Sequence, residues 1–488
     1  MNTHYEKPVI AKVQTGMTNK FGSSPAYARR TRTAIDGVGI DELVAEYGSP
    51  LFVFSETTLR QTYRDIYTAF ATRYPHVTFG WSYKTNYLPA ICAILHQEGA
   101  IAEVVSEMEY DKARRLGVPG ENIIFNGPHK SKMSLKRAIV EGAAINIDHF
   151  DELADIEDVA DELGRPVHVG LRINLDAGIQ PQWSRFGFNL ESGQAMEAVT
   201  RMAQTGKVIL TGLHCHIGTY ILEPKAYAAQ VEKLVQFGYA VEDRFGFKMG
   251  YFDIGGGLPS KNKLKGTYHA PDLVVPSIDD YAEQVTTALY RNLRPGDFPH
   301  LFLESGRAIV DDAGYLISSI TASKRLPDGR KAYVADAGIN LLFTSFWYTQ
   351  NLELDREVTG MHEPSVIYGA MCMNIDVLNE STMLPPLDRG TRIILSPVGA
   401  YNVTQWMQFI EYRPNVVLVD ANGGVDIIRE AEDLSDIARR ERLPERLKLS
   451  APEVTGKPTL PTVKPYGHPV DEFFPKAEPW EDGMTLAL

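Results

Sequence analysis

The chain has 488 residues, 44% of them hydrophobic and 23% charged, a length that predicts two domains with extensions rather than one core. A formal net charge of −13 without any concentrated basic block excludes nucleic acid and anionic membrane as main partners, and no apolar run reaches bilayer-spanning length. The three cysteines, Cys92, Cys215 and Cys372, are odd in number and lack CxxC spacing, so neither a disulfide framework nor a zinc ribbon is expected, and the cytoplasm is the expected compartment.

Residues 1–44 read as an N-terminal extension without the continuous apolar region of a secretory signal. A first strand, Pro50–Phe54, is expected to pair with a β-rich region later in the chain. From Val77 onward, strands and amphipathic helices alternate. The predicted strands are Val77–Tyr83, Ile101–Val105, Asn122–Asn126, Ala143–Ile147, Val167–Ile173, Val208–His214, Gly250–Ile254 and His300–Leu303. Between them lie helical stretches such as Tyr87–Gly99, Glu107–Gly117, Lys130–Gly142, Phe150–Gly164 and Ala226–Phe247, several ending at a glycine that reads as a C-terminal cap. Eight strands separated by helices predict a closed parallel (β/α)8 barrel over 45–305, with an open doubly wound sheet as the alternative of equal periodicity. After Glu304 the segments shorten and turn residues join them, which predicts a mainly antiparallel β-domain over 306–430. Residues 431–488 read as one charged helix followed by a Pro-rich tail.

Four chemical groups fall at the ends of these strands. Lys84 follows the first barrel strand, His216 the sixth, Gly255-Gly-Gly257 the seventh, and Glu304 the eighth. In a β/α barrel the C-terminal strand ends form the face on which catalytic groups converge. An amine, an imidazole, a glycine loop that lets backbone approach a phosphate, and a carboxylate are what pyridoxal phosphate requires of a protein. Lys84 would carry the cofactor as an aldimine, with Phe79, Trp81 and Tyr83 sheltering it so that desolvation eases its deprotonation. Glu304 would pair with the pyridine nitrogen, and Arg307 and Tyr401 could complete a phosphate cradle. His214 and His216 share a strand face and could instead form a metal pair, but no further ligand is evident at neighbouring strand ends. No metal is therefore expected, His216 is assigned to the cofactor, and His214 to the core.

The order Tyr83-Lys84, His216-Ile-Gly-Thr219, Asp253-Ile-Gly-Gly-Gly257, Glu304-Ser-Gly-Arg307, Asp336-Ala-Gly338, Cys372-Met-Asn-Ile-Asp376 and Gly399-Ala-Tyr401 resembles the fold-type III decarboxylases, which include diaminopimelate and ornithine decarboxylases. The resemblance runs from about residue 45 to 430 and implies a TIM-like barrel, a C-terminal β-domain, and a homodimer with shared active sites. It further implies that Lys84 binds pyridoxal 5'-phosphate, that His216 stacks on its ring, and that Glu304 meets its nitrogen. Thr219, Gly256, Gly257, Arg307 and Tyr401 would hold the phosphate. Cys372 of the partner subunit would return a proton to Cα, and Asp376 would shape that loop. Diaminopimelate decarboxylase-like members are the nearest in motif, which points to amino-acid metabolism and lysine biosynthesis.

One departure concerns the substrate. Where the family places a glutamate or aspartate after the cysteine, this chain has Met373 and Asn374, and a methionine cannot neutralise a distal ammonium. Arg185, Arg307 and Arg413, with Met373 and Asp376, are the expected substrate contacts, Arg185 and Arg413 suiting a distal carboxylate. The expected substrate is a small amino acid, either diaminopimelate-like or bearing a carboxylate or amide at its far end, with a specialised siderophore or antibiotic pathway as the alternative. A racemase on the same barrel is disfavoured because such enzymes place arginine, not a carboxylate, against the pyridine nitrogen. An inactive regulatory relative is disfavoured by the retention of Lys84, His216, Glu304 and Cys372.

Overall fold

The computed structural model describes residues 31–179, 181–267 and 270–448. The chain to Asp433 groups into one compact unit, and a second begins at Leu434 with the short helix Leu434–Ala438. The loose reading of the first thirty residues and the Pro-rich run at 458–469 fall outside the described residues.

Strand β1 (Leu51–Ser55) is followed by eight barrel strands. These are β2 (Val77–Ser82), β3 (Ile101–Val104), β4 (Ile123–Phe125), β5 (Ala144–Ile147), β6 (Val167–Asn174), β7 (Val208–Cys215), β8 (Tyr251–Asp253) and β9 (His300–Leu303). Each pairs in parallel with the next, and β9 pairs with β2, so the sheet closes. Closure bears out the expected barrel and removes the open sheet that periodicity alone could not exclude.

The helices between the strands start and stop where local chemistry dictates. Ser55 caps helix α1 (Glu56–Ala71) by accepting the Thr58 N–H at 3.0 Å. The helices Lys132–Glu141 and Phe150–Leu163 end at Gly142 and Gly164 with φ of 81° and 65°, a left-handed conformation that costs glycine nothing. Among the described residues, no helix is long and apolar enough to cross a membrane.

The second sheet is mainly antiparallel and draws on both ends of the chain. Strand β1 pairs antiparallel with Gly314–Arg325 on one side and parallel with Val416–Val419 on the other. Side chains alternate along it. Leu51 and Val53 join a layer with Ile35, Val38, Ile317, Ile394 and Val417, whereas Phe52 and Phe54 face the main core shared with the barrel. Every residue of β1 is fully buried. A strand buried on both faces reads as the continuous apolar run Leu-Phe-Val-Phe rather than an alternation.

Candidate active site

Strand β2 stops at Ser82, and Tyr83–Thr85 form a 3-10 turn that carries Lys84 over the barrel mouth. Alternation sets the surroundings of the amine. Phe79 packs against Tyr63, Tyr67 and Phe70 of α1, and the Tyr83 hydroxyl meets His96 Nε2 at 2.8 Å on helix α2 (Pro89–Gln97). The aromatic face of β2 therefore serves the helix layer and does not shelter Lys84. Ser82 and Lys84 point the other way, where the amine donates to Glu103 Oε2 at 2.5 Å and to Ser82 Oγ at 3.2 Å. Burial alone would lower the pKa of Lys84, but the charges of Glu103 and Glu304 outweigh it and hold the amine above its ordinary value. The expectation of a lysine made easy to deprotonate by desolvation is thus reversed in direction: the neighbouring carboxylates favour the protonated amine.

Glu103 is only 1% exposed and begins a chain of inward-facing polar groups. The Asn126 amide donates one N–H to Glu103 Oε1 at 3.1 Å and another to Glu304 Oε1. Its oxygen accepts from Asn146, whose own oxygen accepts the Tyr251 hydroxyl, each at 2.9 Å. That sequence of donors fixes the orientation of both amides. Lys84 and Glu304 are thereby linked through Glu103 and Asn126.

At the far end, Glu304 Oε2 meets His214 Nε2 at 3.1 Å. His214 is the partner of Glu304 and not simply a satisfied core histidine, and its buried Nδ1 has no partner. Asp253 completes the group: one donor atom each from His214, Asp253 and Glu304 lie within 4.8 Å of one another. The carboxylates that the sequence reading found missing around the histidines are therefore present, on β8 and just after β9. Burial pushes Asp253 well above the usual carboxylate range, with the Glu304 charge adding to it. Burial also opposes ionisation of Glu304, but the His214 ring and Lys84 win and hold it well below its ordinary value. Burial thus favours the protonated form of Asp253, while the neighbours of Glu304 favour its charged form.

The rim opposite is shaped for an anion. A Cβ on Gly256 would lie 2.4 Å from the Glu304 carbonyl oxygen, and one on Gly257 2.4 Å from that of Gly218, so only glycine lets this loop fold down between β7 and β9. The Gly256 N–H is committed to His216 Nδ1 at 3.0 Å. An acceptor Nδ1 requires a neutral ring; burial, with Arg172 and Lys84 nearby, lowers the His216 pKa to about 3. The Trp183 ring lies 5.3 Å from the His216 ring. The Arg307 guanidinium is sandwiched between the rings of Tyr348 and Tyr401, 4.9 and 4.8 Å from their centroids, and its buried Nη1 makes no hydrogen bond. Tyr401 itself adopts a φ of 63°, strained for a non-glycine residue.

A cavity of about 640 Å³ brings Lys84, His216, Thr219, Gly257, Glu304, Arg307 and Tyr401 together. The other sequence-predicted residues lie elsewhere. Arg185 is exposed, 5.0 Å from the Phe186 ring. Arg413 is paired with Glu432 at 3.0 Å. Asp376 accepts the backbone N–H groups of Ile339 and Met371 at 2.7 and 2.8 Å, which leaves its carboxylate engaged in loop structure. Met373 packs on the core, and Cys372 is exposed away from the cavity of its own chain. Sequence reasoning missed Glu103, Asn126, Arg172, Trp183, Trp347 and Tyr348, all of which line the cavity.

A partly buried arginine whose Nη1 makes no hydrogen bond, glycines without room for a side chain, a carboxylate and an amine around one barrel-mouth cavity fit a planar aldehyde bearing a phosphate. That places the chain among pyridoxal-phosphate enzymes of the barrel type. Residues 59–311 match the family model described as pyridoxal-dependent decarboxylase, pyridoxal binding domain. The diaminopimelate decarboxylase of Methanothermobacter thermautotrophicus is 30% identical over 427 residues, covering 85% of this chain and 96% of its own. That of Methanocaldococcus jannaschii is 29% identical over 443 residues, covering 88% and 99%. The crystal structure of the M. jannaschii enzyme in complex with L-lysine superposes with a TM-score of 0.76 at 27% identity, over 85% of this chain and 97% of that one. The chain belongs to the pyridoxal-dependent decarboxylases; it is a carboxy-lyase whose cofactor is pyridoxal phosphate.

Proposed function

We propose that this enzyme removes the α-carboxylate of a diaminopimelate-like amino acid and so serves lysine biosynthesis in the cytoplasm. The observation that carries the reading is the hydrogen-bonded line from Lys84 through Glu103 and Asn126 to Glu304 along the cavity floor. Lys84, His216, Glu304, Thr219, Gly257, Arg307 and Tyr401 would hold the cofactor, with Gly256 fixing His216. When bound, pyridoxal phosphate supplies the electron sink that accepts the pair left at Cα as carbon dioxide departs. Glu103 holds the proton of the Lys84 amine and can take it when that amine acts as a nucleophile. Glu304, whose neighbours favour its charged form, would hold a proton at the pyridine nitrogen, and the His216 ring would offer it a flat, uncharged surface. Trp183, Phe186, Trp347 and Tyr348 line the cavity and would give the reacting carbon a largely aromatic surround.

Arg172 is the cavity group that could meet a distal carboxylate on the substrate: its guanidinium lines the cavity 4.6 Å from the Phe186 ring, and its Nη1 lies 3.5 Å from Asp148 Oδ1, so a substrate carboxylate would share it with Asp148. The cavity carboxylates, Glu103 and Glu304, are both already engaged. The test is carbon dioxide release from meso-diaminopimelate beside lysine, ornithine and arginine. Preferred turnover of diaminopimelate is expected. Preference for any of the three substrates that lack a distal carboxylate would sink the reading, and silence on all four would move the substrate to a compound without a distal amine, as Met373 and Asn374 suggest.

The proton that replaces the carboxylate at Cα comes, in this reading, from Cys372 of the partner subunit in a homodimer with shared sites. Support comes from the position of Cys372, exposed on its own chain, and from the half-exposed Trp347 at the cavity edge. Cys372→Ala should slow turnover about 10- to 100-fold and reduce the fidelity of Cα protonation, read by product analysis in deuterated water. An unchanged rate and product profile removes Cys372 from the mechanism. Mixing inactive Lys84→Ala chains with Cys372→Ala chains should restore turnover through mixed dimers, and no recovery on mixing argues against shared sites.

A further inference from the structure

The anion-facing rim is assembled from three segments far apart in sequence: the loop after Gly257, Arg307, and the turn ending at Tyr401. Asp311 touches all three. It lies on the 3-10 turn Asp311–Ala313, one helical turn beyond Arg307, and is 1% exposed. Its Oδ2 accepts the Ser260 hydroxyl at 2.5 Å and the Asn262 amide at 2.6 Å. Its Oδ1 accepts the Ala400 N–H at 3.1 Å, and its backbone carbonyl accepts that of Gly399, also at 3.1 Å. Arg307 Nη1 stands 3.9 Å from Oδ2, too far for a hydrogen bond, so Asp311 orients the guanidinium without consuming that donor. Burying a carboxylate is costly unless its lone pairs are met, and here three donors from two segments meet them.

We propose that Asp311 is a positioning residue that assembles the phosphate-binding rim, holding the Ser260–Asn262 loop, Arg307 and the Ala400–Tyr401 turn in register for the cofactor phosphate. The inference rests on the reading that Arg307, Gly257 and Tyr401 receive that phosphate. Its sign separates it from simple electrostatics. Removing a negative charge beside a phosphate site strengthens anion binding if charge is all that matters. Removing the hub weakens it.

The test is cofactor binding by apoenzyme, followed spectroscopically, with pyridoxal 5'-phosphate and with pyridoxal, which lacks the phosphate. Asp311→Asn keeps the size but turns an amide donor toward Ser260 and Asn262. It should weaken pyridoxal phosphate binding at least about 10-fold while pyridoxal binding changes less than about 2-fold. Inorganic phosphate should raise the Tm of wild-type apoenzyme and not that of the variant. Ser260→Ala, which removes one donor and disturbs folding less, should shift the same ratio in the same direction, about 3-fold. Unchanged or tighter pyridoxal phosphate binding in both variants overturns the role of Asp311. Equal affinity of the wild type for the two forms overturns the phosphate-rim reading itself, independently of the variants. An equal loss for both ligands in Asp311→Asn reports general damage and also counts against the proposal.

Discussion

Lys84→Ala is expected to lower turnover by about 10³-fold or more and to leave the protein colourless after incubation with pyridoxal phosphate. The argument is local. Lys84 is the cavity amine that the turn after β2 carries over the barrel mouth, and among the described residues no other lysine lines that cavity. The substitution also strands Glu103, 1% exposed, with only Ser82 and Asn126 left as donors. A buried carboxylate that loses its counter-ion takes up a proton or destabilises the fold by a few kcal/mol. Lys84→Arg separates the two effects: it keeps a cation beside Glu103 without supplying a nucleophilic amine. Stability should return with arginine and turnover should not. Borohydride reduction followed by peptide mapping checks the assignment, because a Lys84→Ala protein that still retains fixed cofactor would falsify it.

Asn126→Asp is expected to lower turnover by about 10²- to 10³-fold at neutral pH, a large effect for a residue without a proton-transfer role of its own. In the wild type, one amide donates to Glu103 and to Glu304 and so holds two carboxylates apart at either end of the site. An aspartate there puts a third carboxylate among them. Like charges in a buried site raise the pKa of at least one member, and a protonated Asp can replace only one of the two lost donors. The defect should therefore shrink as pH falls and that proton is retained, and deepen as pH rises. A pH profile of kcat parallel to that of the wild type would show that Asn126 does not couple the two carboxylates.

The sequence displayed the barrel because each strand is a short apolar run ended by a turn signal, and it displayed Lys84, His216, Gly255–Gly257 and Glu304 because the barrel collects strand ends on one face. Glu103 and Asn126 were hidden for the converse reason. Glu103 lies in Ile-Ala-Glu-Val-Val, where a single charged residue reads as the solvent side of a strand, although alternation in a closed barrel also produces an inward face. Counting Ser82 and Lys84 as inward would have turned Phe79, Trp81 and Tyr83 outward and removed the supposed shelter around the amine. Arg413 attracted attention as a free guanidinium because its partner, Glu432, lies 19 residues further on in a stretch read as tail. Asp311 gave no signal at all, since its donors come from segments 49 to 89 positions away.

The threading of β1 between Gly314–Arg325 and Val416–Val419 imposes an order on synthesis. A ribosome delivers β1 first, then all eight barrel strands, and only afterwards the two neighbours that β1 requires. A nascent chain that has just completed β9 can already close its barrel, yet it still carries Leu-Phe-Val-Phe with neither edge paired and both faces open to water. Unpaired apolar edges of this kind seed association between chains. Tyr401 also emerges in that late interval, so the cofactor rim is completed among the last parts of the fold, when translation of the β-sheet is nearly done. Chains interrupted between about residues 310 and 416 should accumulate as barrel-containing, aggregation-prone species that bind cofactor poorly.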